Sequence, residues 1–360
     1  MNYHVFVISL IGLMFVSPPF RETSNWEPNA YRPQTVLDVK YSPNGQYLAL
    51  VYANGQLEVI DVATNTNILD YELSLPYSLL RAKVGWSPSG SFLAAGIGGY
   101  VYLWNFETLQ LLRTLHVGSS EEFVYSETGE YLPEGIISLE WSSDANLLLT
   151  QSLSSRYTVW SPELGKFVFD QSIGNNPLPV VWLSDNTHIF DGRSTLDFLK
   201  QNRFGNPSQQ ISWVGSRCSV RLSMATNLTH ARIAIGTANG CIIIVDANTG
   251  NQVAAYKISN EDDPIWDIGW SSEGESIAAV TDQGRLLIFN IESGDYFIAS
   301  QNNGPLYTVD WAESRTLITY GGRVTENSIN LTTLSDVEIA NLIEAGLALQ
   351  PVISSTPDQM

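Results

Sequence analysis

The chain has 360 residues and a net charge of −19, with 37 acidic residues against 18 basic ones. A surface that acidic repels a phosphate backbone, which argues against nucleic acid as a partner and favours basic protein segments. Hydrophobic residues make up 44% and charged residues only 15%, so a large core is available and Asn, Ser, Thr and Gln carry much of the polar surface.

The first element is the apolar run Val5 to Val16 (VFVISLIGLMFV), followed by Ser17-Pro18-Pro19. It is shorter than the ~20 residues needed to cross a bilayer, so no transmembrane span is expected. Its length suits the apolar region of a secretory signal, although no Lys or Arg precedes it. Residues 1–20 are read as that signal, which predicts a periplasmic or extracellular protein. The alternative is a cytoplasmic protein whose apolar terminus packs on the fold. Residues 21–35 read as a linker or closing segment.

From residue 36 the chain alternates short apolar strands with turn residues. A first unit runs from about Val36 to Leu73, with Asn54-Gly55 as a hairpin and a third strand ending at Asp61. The second is the clearest. Leu80 to Trp86 is a strand, Ser87-Pro88-Ser89-Gly90 a turn, Phe92 to Ala95 a strand and Gly98-Gly99 a hairpin. Tyr100 to Trp104 and Gln110 to Leu115 complete it. A third unit spans about Ile136 to Gln171. The fourth, from Val180 to about Trp213, lacks the usual turn punctuation and reads as degenerate. The fifth spans about Cys218 to Ile258, the sixth Ile265 to Gln301 and the seventh Leu306 to Ile343. Residues 344–360 form a tail, read as a short helix at Ala345 to Leu349 or as disorder.

One motif recurs through these units. Tyr41-Ser42-Pro43-Asn44-Gly45, Trp86-Ser87-Pro88-Ser89-Gly90, Trp141-Ser142-Ser143-Asp144, Trp182-Leu183-Ser184-Asp185, Trp270-Ser271-Ser272-Glu273-Gly274 and Trp311-Ala312-Glu313-Ser314 occupy equivalent places. Their spacings are 45, 55, 41, 88 and 41 residues, and the gap of 88 holds a weaker copy around Leu222-Ser223. A period of roughly 40–45 residues is that of four-stranded propeller blades, which must stack to bury their apolar faces. The predicted fold is all-β: a seven-bladed β-propeller of four-stranded antiparallel blades over residues 36–343, forming a monomeric ring.

The order of Trp-Ser-Pro-x-Gly, a short apolar strand, an Asn-Gly type hairpin and a third strand ending in Trp104-Asn105, Phe289-Asn290, Ile60-Asp61 or Val245-Asp246 resembles the WD40 repeat. The Gly-His pair that often opens such repeats is absent, so the resemblance is to a divergent, bacterial-type member. What it implies is a protein-interaction scaffold without catalysis.

The residues agree with that expectation. His4, His116, His188 and His230 are not spaced as metal pairs, and no nucleophile elbow or phosphate-binding loop is present. No catalytic residue, cofactor or metal ligand is expected. Asn227-Leu228-Thr229 and Asn330-Leu331-Thr332 match the glycosylation sequon. Cys218 and Cys241, placed on the first and third strands of one blade, would lie roughly 9–10 Å apart. That exceeds the ~7 Å limit for bridging, so they are expected as buried, reduced thiols.

Two places remain for function. The link from His116 to Gly135 carries Glu121, Glu122, Phe123, Tyr125, Glu127, Glu130 and Tyr131, and the shorter link before the sixth unit carries Glu261, Asp262 and Asp263. Both follow a last strand and precede a first strand, which places them on one face. Carboxylates mixed with aromatic anchors suit a protein partner. The second place is the central channel, which suits an enzyme or small-ligand binder. Its candidates on the first strands are Asp38, Lys40, Arg81, Lys83, Glu140, Asp267 and Asp310. They are mixed in sign and lack His or Ser partners, which favours pairing among themselves. A cell-envelope assembly component is a third reading.

Overall fold

The structure, a computed structural model, describes residues 35–72, 79, 81–117, 123–125, 131–133, 135–154, 156–162, 166–172, 179–183, 188–190, 194–197, 209–210, 218, 221–227, 231–249, 251–258, 262–312, 317–323, 331–335 and 353–354. Its strands in chain order begin with β1 (Val36–Tyr41), β2 (Tyr47–Tyr52), β3 (Gln56–Asp61) and β4 (Thr66–Glu72). There follow β5 (Ala82–Trp86), β6 (Phe92–Ile97), β7 (Tyr100–Asn105) and β8 (Gln110–His116). A small hairpin of β9 (Phe123–Tyr125) and β10 (Tyr131–Pro133) comes next. Then come β11 (Ile136–Trp141), β12 (Leu148–Ser152), β13 (Arg156–Ser161) and β14 (Lys166–Ser172), and the short β15 (Val181–Trp182), β16 (His188–Phe190), β17 (Ser194–Asp197) and β18 (Gln209–Gln210). The second half holds β19 (Arg221–Asn227), β20 (Arg232–Thr237), β21 (Cys241–Asp246) and β22 (Gln252–Lys257), with β23 (Ile265–Trp270), β24 (Ser276–Thr281), β25 (Arg285–Asn290) and β26 (Tyr296–Gln301). Last are β27 (Leu306–Trp311), β28 (Leu317–Gly322), β29 (Leu331–Ser335) and β30 (Ile353–Ser354).

Consecutive strands pair antiparallel into sheets. Among the described residues five sheets have four strands, beginning at β1, β5, β11, β15 and β23, so five four-stranded blades stand there where the sequence predicts seven. The sheet β19–β22 gains β30 as a fifth strand, and β27–β29 has three. The tail therefore contributes a short strand beyond the expected helix position, pairing Lys257 with Ile353. The helix position and residues 336–343 of the seventh unit lie outside the described residues, as do residues 1–34. The degenerate fourth unit is a four-stranded sheet with short strands. The first strands pack side by side around the molecule, and β27 packs against β1 to close the ring.

The recurring motif explains this assembly residue by residue. Its Trp is mostly buried and also makes a polar tie. Trp86 donates its indole N–H to Lys40 O at 3.0 Å, Trp141 to Gly85 O at 3.2 Å, Trp182 to Glu140 O at 3.1 Å and Trp270 to Ala225 O at 3.0 Å. Each acceptor lies on the first strand of the preceding sheet, one residue before the position that the motif's aromatic occupies. Ala225 thus sets the register of β19: Thr226 stands where the other units carry Trp or, in the first, Tyr41. The weak copy sits four residues beyond the expected Leu222-Ser223. Asn227 is then buried at the end of β19, which removes that sequon from the surface.

The motif's Ser closes the turn that follows. Ser42, Ser87, Ser142 and Ser271 each accept, on the side-chain oxygen, a backbone N–H five residues on, at or just before the start of the second strand, at 2.9–3.1 Å. The Asp or Asn that ends the third strand caps the next turn. Asp61 accepts from Ala63 N and Thr64 N, Asp246 from Asn248 N and Thr249 N, and Asn290 from Glu292 N and Ser293 N. These are local side-chain-to-backbone bonds that favour a turn over continued strand. Close packing between sheets requires a glycine at Gly96, where a Cβ would stand 2.7 Å from Ile136.

The cysteines correct the sequence reading: Cys218 and Cys241 form a disulfide, with Cα atoms 5.7 Å apart. The first strand begins only at Arg221, and β20 ends at Thr237. Cys218 therefore lies beyond the end of the strand that was expected to separate it from Cys241, and that separation does not apply.

Candidate functional site

Three residues before five of the six closing aromatics the inner strands carry a polar side chain, Pro179 taking that place before Trp182. Those residues are Asp38, Lys83, Ser138, Asp267 and Thr308. Asp38, fully buried, accepts Val84 N from the next strand at 2.8 Å, and Lys83 Nζ stands 2.9 Å from its other oxygen. Asp267 accepts Val309 N at 3.0 Å and lies 3.8 Å from Lys83 Nζ. Ser138 accepts Val180 N at 2.9 Å. Thr308 accepts Val39 N at 3.0 Å, and its hydroxyl lies within 3.1 Å of Asp267 and 3.2 Å of Asp38.

One turn of the pleat deeper, Asp310 accepts Tyr41 N at 2.7 Å and pairs with Lys40 Nζ at 2.8 Å. These bonds span β27 and β1, so the ring is closed by side chains at its seam. The repeating device is lateral: an oxygen on one inner strand accepts an amide from the next. Of the channel candidates, the structure joins Asp38, Lys40, Lys83, Asp267 and Asp310 into one network. Ser138 and Thr308 were missed by the sequence reading. Their common offset from the closing aromatic was the signal that could have found them.

Burial and neighbouring charge set the ionisation of this network. Burial alone would lower the Lys40 ammonium, but Asp310, Asp267 and Asp38 outweigh it and hold its pKa above the ordinary value. Burial raises Asp38 and Asp310, partly offset by Lys83 and Lys40 respectively. Glu140 borders the same network, and its carboxyl has no hydrogen-bond partner among the described residues. Burial pushes its carboxyl up to about 7, with Lys40 and Lys83 pulling it down and Asp38 and Asp267 adding to the rise.

Arg81 stands at the mouth, just before β5. Its guanidinium carbon lies 4.6 Å from the ring centroid of Trp266 on β23, a strand that is not adjacent to β5. Among the described residues no cluster of three or more His, Cys, Asp or Glu is placed to hold a metal ion. No helix among them is long and apolar enough to cross a membrane.

The link residues divide. Glu121, Glu122, Glu127, Glu130 and Glu261 lie outside the described residues. Phe123 and Tyr125 lie on β9 and Tyr131 on β10, so the long link holds a hairpin where a loop was expected. Asp262 is exposed and pairs with Lys257 at 3.0 Å. Asp263 is buried; it accepts Arg285 Nη2 at 2.6 Å, Arg285 Nε at 2.9 Å and Gln283 N at 2.9 Å. Its carboxylate is turned inward and fixes this link to the hairpin between β24 and β25, unlike a partner-facing group.

Comparison with known proteins agrees with this architecture. The family model described as the anaphase-promoting complex subunit 4 WD40 domain matches residues 233–314. A WD repeat-containing protein 91 homolog from Dictyostelium discoideum is 26% identical over 240 residues, covering 63% of this chain. The match spans only 28% of that relative's length. The tied tryptophans, the capped turns and the antiparallel four-stranded blades make the chain a β-propeller, and these two matches show its similarity to WD40-repeat domains.

Proposed function

We propose that this propeller is a non-catalytic scaffold that binds a protein partner on the face carrying the links between sheets. The supporting observation is the division of labour among polar groups. In the inner ring Asp38, Lys40, Lys83, Ser138, Asp267, Thr308 and Asp310 are committed to one another or to neighbouring backbone, whereas the links differ from sheet to sheet in length and composition. A rigid scaffold with variable loops is the usual platform for recognition. The matched family model belongs to a subunit of a complex, which fits the same role.

The partner carries basic segments that meet Glu121, Glu122, Glu127 and Glu130, the exposed Asp262, and the aromatic residues Phe123, Tyr125 and Tyr131. Asp263 stays out of that contact set, since Arg285 already holds it. The protein acts outside the cytoplasm as a monomeric ring. The apolar segment Val5 to Val16 and the Cys218–Cys241 disulfide both support export, because disulfides persist in oxidising compartments. Affinity capture of the full-length protein from its native cell, with mass spectrometry, tests the reading. The Glu121→Lys, Glu122→Lys, Asp262→Lys variant should lose the partners that the native protein recovers. Equal recovery by both would refute it.

A further inference from the structure

We propose that Arg81, held on the face of Trp266 at the channel mouth, anchors an aspartate or glutamate side chain of the bound partner. This rests on the scaffold reading and assigns one contact within it.

Trp266 is a fixed platform. Its indole N–H donates to Asp282 at 2.9 Å, Tyr307 meets it edge-on at 6.2 Å between centroids, and only 8% of it is exposed. The guanidinium covers that ring from the other side of the mouth. One face of Arg81 is satisfied by the aromatic, a contact that costs the cation little. Its edge is not satisfied. A guanidinium carries five N–H donors in a planar fork. Among the described residues none of them has an acceptor, and no carboxylate lies within ion-pair distance.

The acid whose charge acts on Arg81, Asp267, is committed to Val309 N, Thr308 and Lys83. Arg81 is half-buried, and burial holds its pKa below the ordinary arginine value, with Tyr307 and Asp267 offsetting only part of that cost and neither bonded to the guanidinium. A partly desolvated, unpaired cation is costly on its own and becomes favourable when an anion arrives. The planar fork matches a carboxylate through two parallel hydrogen bonds, a geometry that lysine lacks. Arginine on an aromatic platform in a partly buried pocket is also the composition of an interface hot spot. The segment that fits the whole face then carries an acidic residue for the mouth, flanked by basic residues for the links.

The test is selection of binders to the full-length protein from a displayed library of random peptides, followed by synthesis with amidated C-termini. Binders should share one fixed Asp or Glu. Replacing it with Asn or Gln should weaken binding roughly tenfold or more, the worth of a charged hydrogen-bonded pair. Arg81→Gln should weaken the acidic peptide equally and bind the amide peptide as the native protein does. Arg81→Lys should restore only part. If Arg81→Gln fails to fold, the replacement in the peptide decides alone. Binders without a fixed acidic position, or an acid preference that survives Arg81→Gln, overturn this inference and leave the scaffold reading standing. Recovery of no peptide counts against both.

Discussion

The indole N–H of Trp86 donates to the backbone carbonyl of Lys40 at 3.0 Å and so ties one inner strand to the one before it. The bond turns a buried aromatic into a directional joint, because it can form at only one register between the two sheets. Trp86→Phe keeps most of the apolar contact and leaves Lys40 O without this donor. A loss of about 1–3 kcal/mol is expected from chemical unfolding. Trp86→Ala should cost about 3–5 kcal/mol, while Pro88→Ala in the exposed turn stays within about 0.5 kcal/mol.

Lys83 neutralises Asp38, which is fully buried and also bonded to Val84 N. Lys83→Met strands that carboxylate and should destabilise by about 3–5 kcal/mol. Adding Asp38→Asn should recover part of the loss, because the charge is gone while an oxygen remains for Val84 N. Urea unfolding of the two variants measures the coupling. Equal stability of the native protein and Lys83→Met would show that the pair contributes nothing.

Glu140 predicts a pH dependence. Its folded-state carboxyl titrates at about 7, above the ordinary 4.5, so the folded protein holds this proton more tightly than the unfolded chain. Its contribution to stability is therefore fully present below pH 4.5 and is lost as the pH rises to 7. Glu140→Gln should be more stable than the native protein above that window and similar to it below. Thermal unfolding across the window checks the sign, and an unchanged difference between the two proteins would reject it.

The disulfide of Cys218 and Cys241 closes a loop with a sequence separation of 23. Loop-closure entropy assigns about 3 kcal/mol to such a crosslink. Cys218→Ser with Cys241→Ala should lower the unfolding midpoint, and dithiothreitol should lower that of the native protein to a similar value. Protein taken from its native cell under alkylating conditions should take up no label. Full labelling would place it in a reducing compartment and count against export.

The sequence and the structure agree most closely where chemistry is local. Turns were legible because Ser87, Gly90 and Asn105 have side chains or backbone freedom that specify them, and each does what its residue type suggests. Repeats were legible because every sheet must present the same joint to its neighbour. Contacts between distant segments were less so. The pairing of Asp310 with Lys40 joins residues whose separation of 270 no local pattern records, although their place on inner strands made both candidates. The disulfide was missed through a boundary error of three residues at Arg221, enough to invert a distance argument. The β9–β10 hairpin was hidden by Pro133 and the surrounding acidic residues, which read as loop. Asp262 and Asp263 are adjacent and alike in sequence. Only the position of Arg285 separates the exposed one from the buried one.

The central claim is that the inner ring holds the propeller together while the links between sheets bind the partner. One comparison tests it most directly: the affinity of a captured partner for the native protein, for Glu121→Lys/Glu122→Lys/Asp262→Lys, and for Glu140→Gln. The account predicts a loss of about tenfold or more, ~1.4 kcal/mol, for the link variant. It predicts no change for the channel variant. Undiminished binding by the link variant together with loss in Glu140→Gln would contradict it and place recognition inside the channel.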